Sequence, residues 1–153
     1  MRQRSSQWAA QFLVAAELER DGYDVCFTMG HHTPIADLMV GDPTTGEQFW
    51  IDVKGVWGKS AWWGKPKSPR KDLFYICVSV GKNRMEDRFF IMTQLEFNAL
   101  VDEYHSTHLD QEPNGFKASA PFQFGNAWSK HLPGTTLNAA RVNHGQITIA
   151  CSD

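Results

Sequence analysis

Ile35-Ala36-Asp37-Leu38-Met39-Val40 and Gln48-Phe49-Trp50-Ile51-Asp52-Val53, on either side of Gly41-Asp42-Pro43-Thr44-Thr45-Gly46, decide the fold of this chain. Both outer runs are short and apolar, the length of a buried strand, and the stretch between them is rich in residues that favour tight turns. Together they read as a β-hairpin. Each strand carries one carboxylate among apolar neighbours, where an unpaired charge is costly. Pairing across the turn brings Asp37 and Asp52 within a few ångströms of each other.

Working outward from the hairpin, Ser6 to Asp21 reads as a helix: Trp8, Ala9, Phe12, Leu13, Ala16 and Leu18 stand among good helix formers, and Gly22 ends it. Its apolar residues reach nearly all the way round, as in a helix buried on more than one side. Tyr23 to Met29 alternates apolar and polar residues as a strand does. Asp72 to Val80 is almost continuously apolar and suits a central, doubly covered strand, with Arg88 to Met92 as its neighbour. Thr93 and Glu96 form a capping box ahead of Phe97, Leu100, Val101 and Tyr104 on one helical face. From about Leu109 the chain turns irregular, with a helical turn near Trp128 and a strand at Gln146 to Ala150 as its only expected elements.

These elements predict an α/β domain with a mixed central sheet flanked by helices. The chain of 153 residues fits a single domain, with a core over about 6–105 and an irregular extension over about 109–153. No apolar run approaches the ~20 residues that cross a bilayer, so no membrane partner is expected. The start of the chain has no long apolar stretch of the signal-peptide kind, and a cytoplasmic location is expected. The three cysteines, Cys26, Cys77 and Cys151, are odd in number and far apart, and read as reduced and structural.

Net charge is −2, which as an average disfavours a nucleic-acid partner; its distribution does not. Lys54, Lys59, Lys65, Lys67, Arg70 and Lys71 fall in one stretch with no acidic residue. Trp57, Trp62 and Trp63, half of the six tryptophans, interleave with them. Lysines neutralise phosphates and indoles stack on bases, so Lys59, Trp62, Trp63, Lys65, Lys67, Arg70 and Lys71 are the expected nucleic-acid contacts. The bland alternative is a solvated loop whose tryptophans pack on the core or on a second copy. Its glycines and prolines suggest a loop that orders on binding.

Asp52 and Lys54, two apart on a strand, share one face. Two adjacent carboxylates repel unless a cation lies between them, and magnesium favours oxygen ligands and is typically held by one or two carboxylates plus substrate phosphate. Such a metal polarises a scissile phosphate and lowers the pKa of a bound water, while Lys54 positions that water or balances charge on the phosphate. Glu17, on the first helix, is placed as a third acid. The six histidines form no zinc pattern. The chain also lacks a phosphate-binding Gly-x-x-x-x-Gly-Lys-Ser/Thr loop, a Gly-x-Ser-x-Gly elbow and a Cys-x-x-Cys pair.

A helix bearing Glu17, then Pro34-Ile35-Ala36-Asp37, then Asp52-Val53-Lys54-Gly55, resembles the signature of the PD-(D/E)XK nuclease superfamily, over roughly residues 6–105. Pro34 stands three residues before Asp37 instead of directly before it. The resemblance implies a restriction endonuclease-like core (αβββαβ) and metal-dependent hydrolysis of DNA. Glu17, Asp37, Asp52 and Lys54 would be catalytic, and Asp37, Asp52, Val53 and Glu17 would be the metal positions for Mg2+, with Mn2+ able to substitute. DNA is the implied partner, and a homodimer suits an enzyme that cuts two strands. Within the enzyme class the runner-up is a junction resolvase or a transposition endonuclease. From another class, the alternative is a non-catalytic nucleic-acid-binding module, or a subunit of a defence or mobile-element complex.

Overall fold

The computed structural model describes residues 5–29, 35–58, 62–83, 86–107 and 115–116. Helix α1 (Ser6–Arg20) begins at Ser5, whose side chain accepts the Trp8 N–H, and ends on Gly22 at φ +91°. The Tyr23 N–H reaches the Leu18 carbonyl and the Gly22 N–H that of Glu19, satisfying two of the last helical carbonyls. Strands β1 (Asp24–Phe27), β2 (Leu38–Gly41) and β3 (Gln48–Trp57) form an antiparallel meander. At the β2–β3 turn the buried Asp42 carboxylate accepts the Thr44 and Thr45 N–H groups, and the Thr44 bond holds its pKa below the usual value. The two-residue β4 (Trp62–Trp63) follows, then β5 (Leu73–Val80) and β6 (Arg88–Thr93). Helix α2 (Gln94–Thr107) opens with the expected capping box: the Thr93 N–H donates to Glu96 Oε2 at 3.0 Å, and the Glu96 N–H to Thr93 Oγ1 at 3.4 Å. β7 (Gly115–Phe116) pairs with β4 as a separate two-stranded ribbon.

The main sheet is mixed, with order β1-β2-β3-β5-β6, and β3–β5 is its parallel pair. Every residue of β5 is buried, as its nearly unbroken apolar run predicts. Its alternate side chains feed two cores. Phe74, Ile76, Val78 and Val80 join Ile51, Val53 and the α1 residues Ala10, Val14 and Leu18 on one face. Leu73, Tyr75 and Cys77 join Trp62 and the α2 residues Phe97, Leu100 and Val101 on the other. The sheet is therefore sandwiched between the two helices, as expected of an α/β domain. No helix among the described residues is long and apolar enough to cross a membrane.

Three expectations change. Among the described residues no helix lies between the parallel strands β3 and β5; α2 comes after β6, so the observed order is not αβββαβ. Strand β2 begins at Leu38, which leaves Asp37 just before it, and β3 runs on to Trp57, so Asp52 and Lys54 lie inside a strand and not at its end. β3 continues past Lys54-Gly55 because its parallel pairing with β5 runs on to Trp57↔Val80, and Gly55 is where α1 rests on it: a Cβ there would lie 2.5 Å from both Ala10 Cβ and the Ser6 carbonyl oxygen, so only glycine allows the contact. The helical turn near Trp128 and the strand at Gln146 to Ala150 fall outside the described residues.

Candidate functional site

Register builds the site. Leu38 pairs with Ile51 as the last antiparallel β2–β3 pair, so Asp37 and Asp52 come next, where β2 leaves β3. Asp37 is held although it lies outside a strand: its N–H donates to the Ile51 carbonyl, and its own carbonyl accepts from Thr28 N and Thr28 Oγ1, each at 3.0 Å.

Beyond Ile51, β3 no longer has β2 as a neighbour, and side chains complete its hydrogen bonding on that edge. Asp37 Oδ2 accepts the Val53 N–H at 2.8 Å. Gln7 Nε2 donates to the Val53 carbonyl at 2.6 Å, and Gln7 Oε1 accepts the Gly55 N–H at 3.2 Å. Ser6 Oγ donates to the Gly55 carbonyl at 2.8 Å. Asp37 is further fixed by Gln11 Nε2, 2.8 Å from Oδ1, and by Gln7 Nε2, 3.3 Å from Oδ2. Burial raises the Asp37 pKa and the Asp52 charge adds to it; the Val53 N–H and the ammonium groups of Lys54 and Lys67 oppose that rise.

Asp52 projects to the α2 side, paired in register with Tyr75. Its carboxylate is 5% exposed and lies between two lysines: Lys54 Nζ is 2.6 Å from Oδ1 and Lys67 Nζ is 2.6 Å from Oδ2. The Lys54 contact is an ion pair without hydrogen-bond alignment, and among the described residues Oδ1 has no hydrogen-bond partner. Both ammonium groups stand 5.9 Å from the centroid of the Tyr75 ring, which stacks on Phe97 at 3.8 Å. The buried Tyr75 hydroxyl has no hydrogen-bond partner among the described residues, and its pKa is pushed up by burial and by Asp52.

Lys67 arrives from a loop, and α2 holds that loop. Asn98 bonds both the N–H and the carbonyl of Lys67, while the buried Gln94 takes the Arg70 N–H at 2.7 Å and donates to the Ser68 carbonyl at 2.8 Å. Residues 67–70 are thus held in place by side chains of α2.

The expected site residues separate accordingly. Lys54 and Lys67 both reach Asp52, and Asp37 lies near enough to feel the charge of all three. Glu17 does not: it pairs with Arg20, about 15 Å along the helix axis from Gln7. Val53 can offer a metal only its carbonyl oxygen, which Gln7 occupies. Trp62, expected to stack on bases, is wholly buried, with its indole N–H 3.4 Å from the Val78 carbonyl and its ring edge-on to Phe90. Arg70 is paired with Asp72, while Lys65 and Lys71 are exposed. Lys59 falls outside the described residues.

The helix amides Gln7, Gln11, Gln94 and Asn98 were not foreseen. Their signal is a pair of amides four residues apart among the apolar residues of each helix.

As a divalent-cation site the arrangement offers two carboxylates, which matches the way magnesium is usually held. One of their oxygens, Asp52 Oδ1, is buried without a hydrogen bond. No group of three or more His, Cys, Asp or Glu suited to a metal occurs among the described residues. Asp37 and Asp52, without Glu17 or Val53, are the residues that would hold magnesium; both oxygens of Asp37 already accept protein donors, and the two lysines neutralise Asp52. Compared with protein-family models, curated proteins and solved structures, the chain matches none of them.

Proposed function

We propose that the chain is a metal-dependent endonuclease that hydrolyses DNA phosphodiester bonds at Asp37, Asp52 and Lys54. One observation carries this reading: Asp37 and Asp52 take the facing positions one step beyond the last β2–β3 pair, Leu38↔Ile51, with Lys54 and Lys67 converging on Asp52. Pairs of carboxylates with a neighbouring ammonium suit phosphoryl chemistry, because the acids hold a cation and the lysine meets the charge that develops on phosphate.

When bound, Mg2+ would be held by Asp37 and Asp52 and would supply a polarised phosphate and an acidified water. The chain's own residues do the rest. Gln7 and Gln11 fix both oxygens of Asp37, so that its orientation costs no reorganisation on substrate binding. Lys54 balances charge at the phosphate. The exposed Lys65 and Lys71 offer neighbouring phosphates a cationic surface.

The experiment compares wild type with Asp52→Ala for DNA binding in Ca2+ and cleavage in Mg2+. Retained binding with abolished cleavage supports the reading; equal cutting by both proteins removes Asp52 from the chemistry.

A non-catalytic DNA-binding module is the second reading. What favours it is the neutrality of the cluster, in which both oxygens of Asp52 already face lysine ammonium groups. A module binds DNA in Ca2+ and gives no Mg2+-dependent product.

A further inference from the structure

Lys67 differs from Lys54 in how it reaches Asp52. Lys54 stands two residues from Asp52 on the same strand, so its stem is anchored in the sheet. Lys67 belongs to an irregular segment whose main chain is bonded to Asn98 of α2, and it stretches from there across to Asp52 Oδ2. Its side chain is 35% exposed, against 25% for Lys54. Its ammonium also has a second acceptor in place, the Ile35 carbonyl at 3.2 Å. Breaking the contact to Asp52 therefore leaves Lys67 hydrogen-bonded and next to solvent, while its backbone stays where α2 fixes it.

A divalent cation and two ammonium groups cannot share one carboxylate, because like charges at contact distance repel strongly where solvent screening is weak. One ammonium must withdraw, and Lys67 is the one with an alternative partner and a path to water. We propose that Lys67 and a divalent cation are alternative partners of Asp52, so that metal uptake releases the Lys67 ammonium to an incoming phosphate. This rests on the metal-dependent reading above. Lys67 thereby acts first as a counter-ion that keeps the buried Asp52 paired without metal, and then as a second cation on substrate. Asn98 keeps its stem within reach in both states.

The test is calorimetric titration of the DNA-free protein with Mn2+ and with Ca2+, which reads occupancy without turnover. Lys67→Met keeps the apolar stem and removes the charge. The expected result is cation binding about tenfold tighter than wild type, an equilibrium effect of the size one displaced partner exerts. Lys67→Arg keeps a competing charge and stays within about twofold of wild type. Lys65→Met removes a charge two residues away that has no contact with Asp52, and it also stays within about twofold, separating displacement from general electrostatics.

Equal affinity in wild type and Lys67→Met overturns the proposal while leaving the metal-dependent reading standing. A gain in Lys65→Met as large as that in Lys67→Met overturns it as well. No cation binding by wild type or Lys67→Met at millimolar concentration overturns both.

Discussion

Gly55→Ala is the most informative single perturbation, because it acts where α1 meets the strand that carries Asp52. The new methyl would lie 2.5 Å from Ala10 Cβ, 2.5 Å from the Ser6 carbonyl oxygen and 3.0 Å from the Ser6 carbonyl carbon. Two of these three atoms are backbone and cannot rotate away. Overpacking of this kind costs about 1–3 kcal/mol. Relief by moving α1 stretches Ser6 Oγ to Gly55 O and both Gln7 bonds to β3, each worth about 1 kcal/mol. The expected loss is therefore about 2–4 kcal/mol. Equilibrium urea unfolding measures it: with a slope of about 1.5 kcal/mol/M, the midpoint falls by roughly 2 M. Ala10→Gly in the same background removes one clash and leaves the Ser6 carbonyl, so it should restore part of the stability and no more. A Gly55→Ala protein within about 0.5 kcal/mol of wild type would refute the close approach, and with it the account of how Gln7 reaches the site.

Other outcomes follow from individual side chains. Trp62→Ala should lower stability by about 3–5 kcal/mol, since it removes a fully buried indole from the α2-side core; an unchanged melting temperature would return Trp62 to the surface. Burial and then the Glu17 carboxylate push Asp21 up to about 6 from 3.8, against Arg20. The folded state thus binds the extra proton, and stability falls as pH rises from about 4 to 6. Asp21→Asn should remove that decline and gain about 1 kcal/mol at pH 7.5, discounted for partial exposure. Denaturation at pH 5 and 7.5 checks it, and an equal gain at both contradicts it. Gln11→Ala removes a donor to Asp37 Oδ1, which favours the protonated acid. The acidic limb of the kcat/KM profile should move to higher pH; an unmoved limb excludes Gln11 as a positioning residue. Replacing Lys65 and Lys71 together should flatten the salt dependence of DNA affinity by roughly 0.9 in slope for each phosphate they neutralise.

Local pattern made much of this fold legible. The helix stop at Gly22, the Thr93–Glu96 capping box and the apolar run of β5 each state a conformation within a few residues, and each forms as read. The hairpin is equally local, because a turn-rich stretch between two apolar runs sets which residues face each other, and β2 and β3 pair in the register that leaves Asp37 and Asp52 next beyond Leu38↔Ile51. What stayed hidden depends on contacts between distant residues. Gln94 and Asn98 grip a loop more than twenty residues earlier, and nothing local marks an amide as a clamp. Trp62 sits among glycines, lysines and prolines, a composition that signals surface, yet its ring enters the core beneath β5 and β6. Glu17 misled because α1 packs on the sheet along its length, through Ala10, Val14 and Leu18, and helical periodicity does not say which of its turns lies over the site. Its site-facing counterparts are Gln7 and Gln11, in the first and second turns of the helix.

The most direct test of the central claim is incubation of supercoiled plasmid, linear duplex, single-stranded DNA and a four-way junction with pure protein, with and without Mg2+, beside Asp52→Ala. A metal-dependent nuclease acting through Asp52 gives Mg2+-dependent cutting of at least one substrate by wild type and none by the variant. Absence of cutting by wild type on all four, with DNA binding intact in Ca2+, would contradict it and leave the binding module in its place.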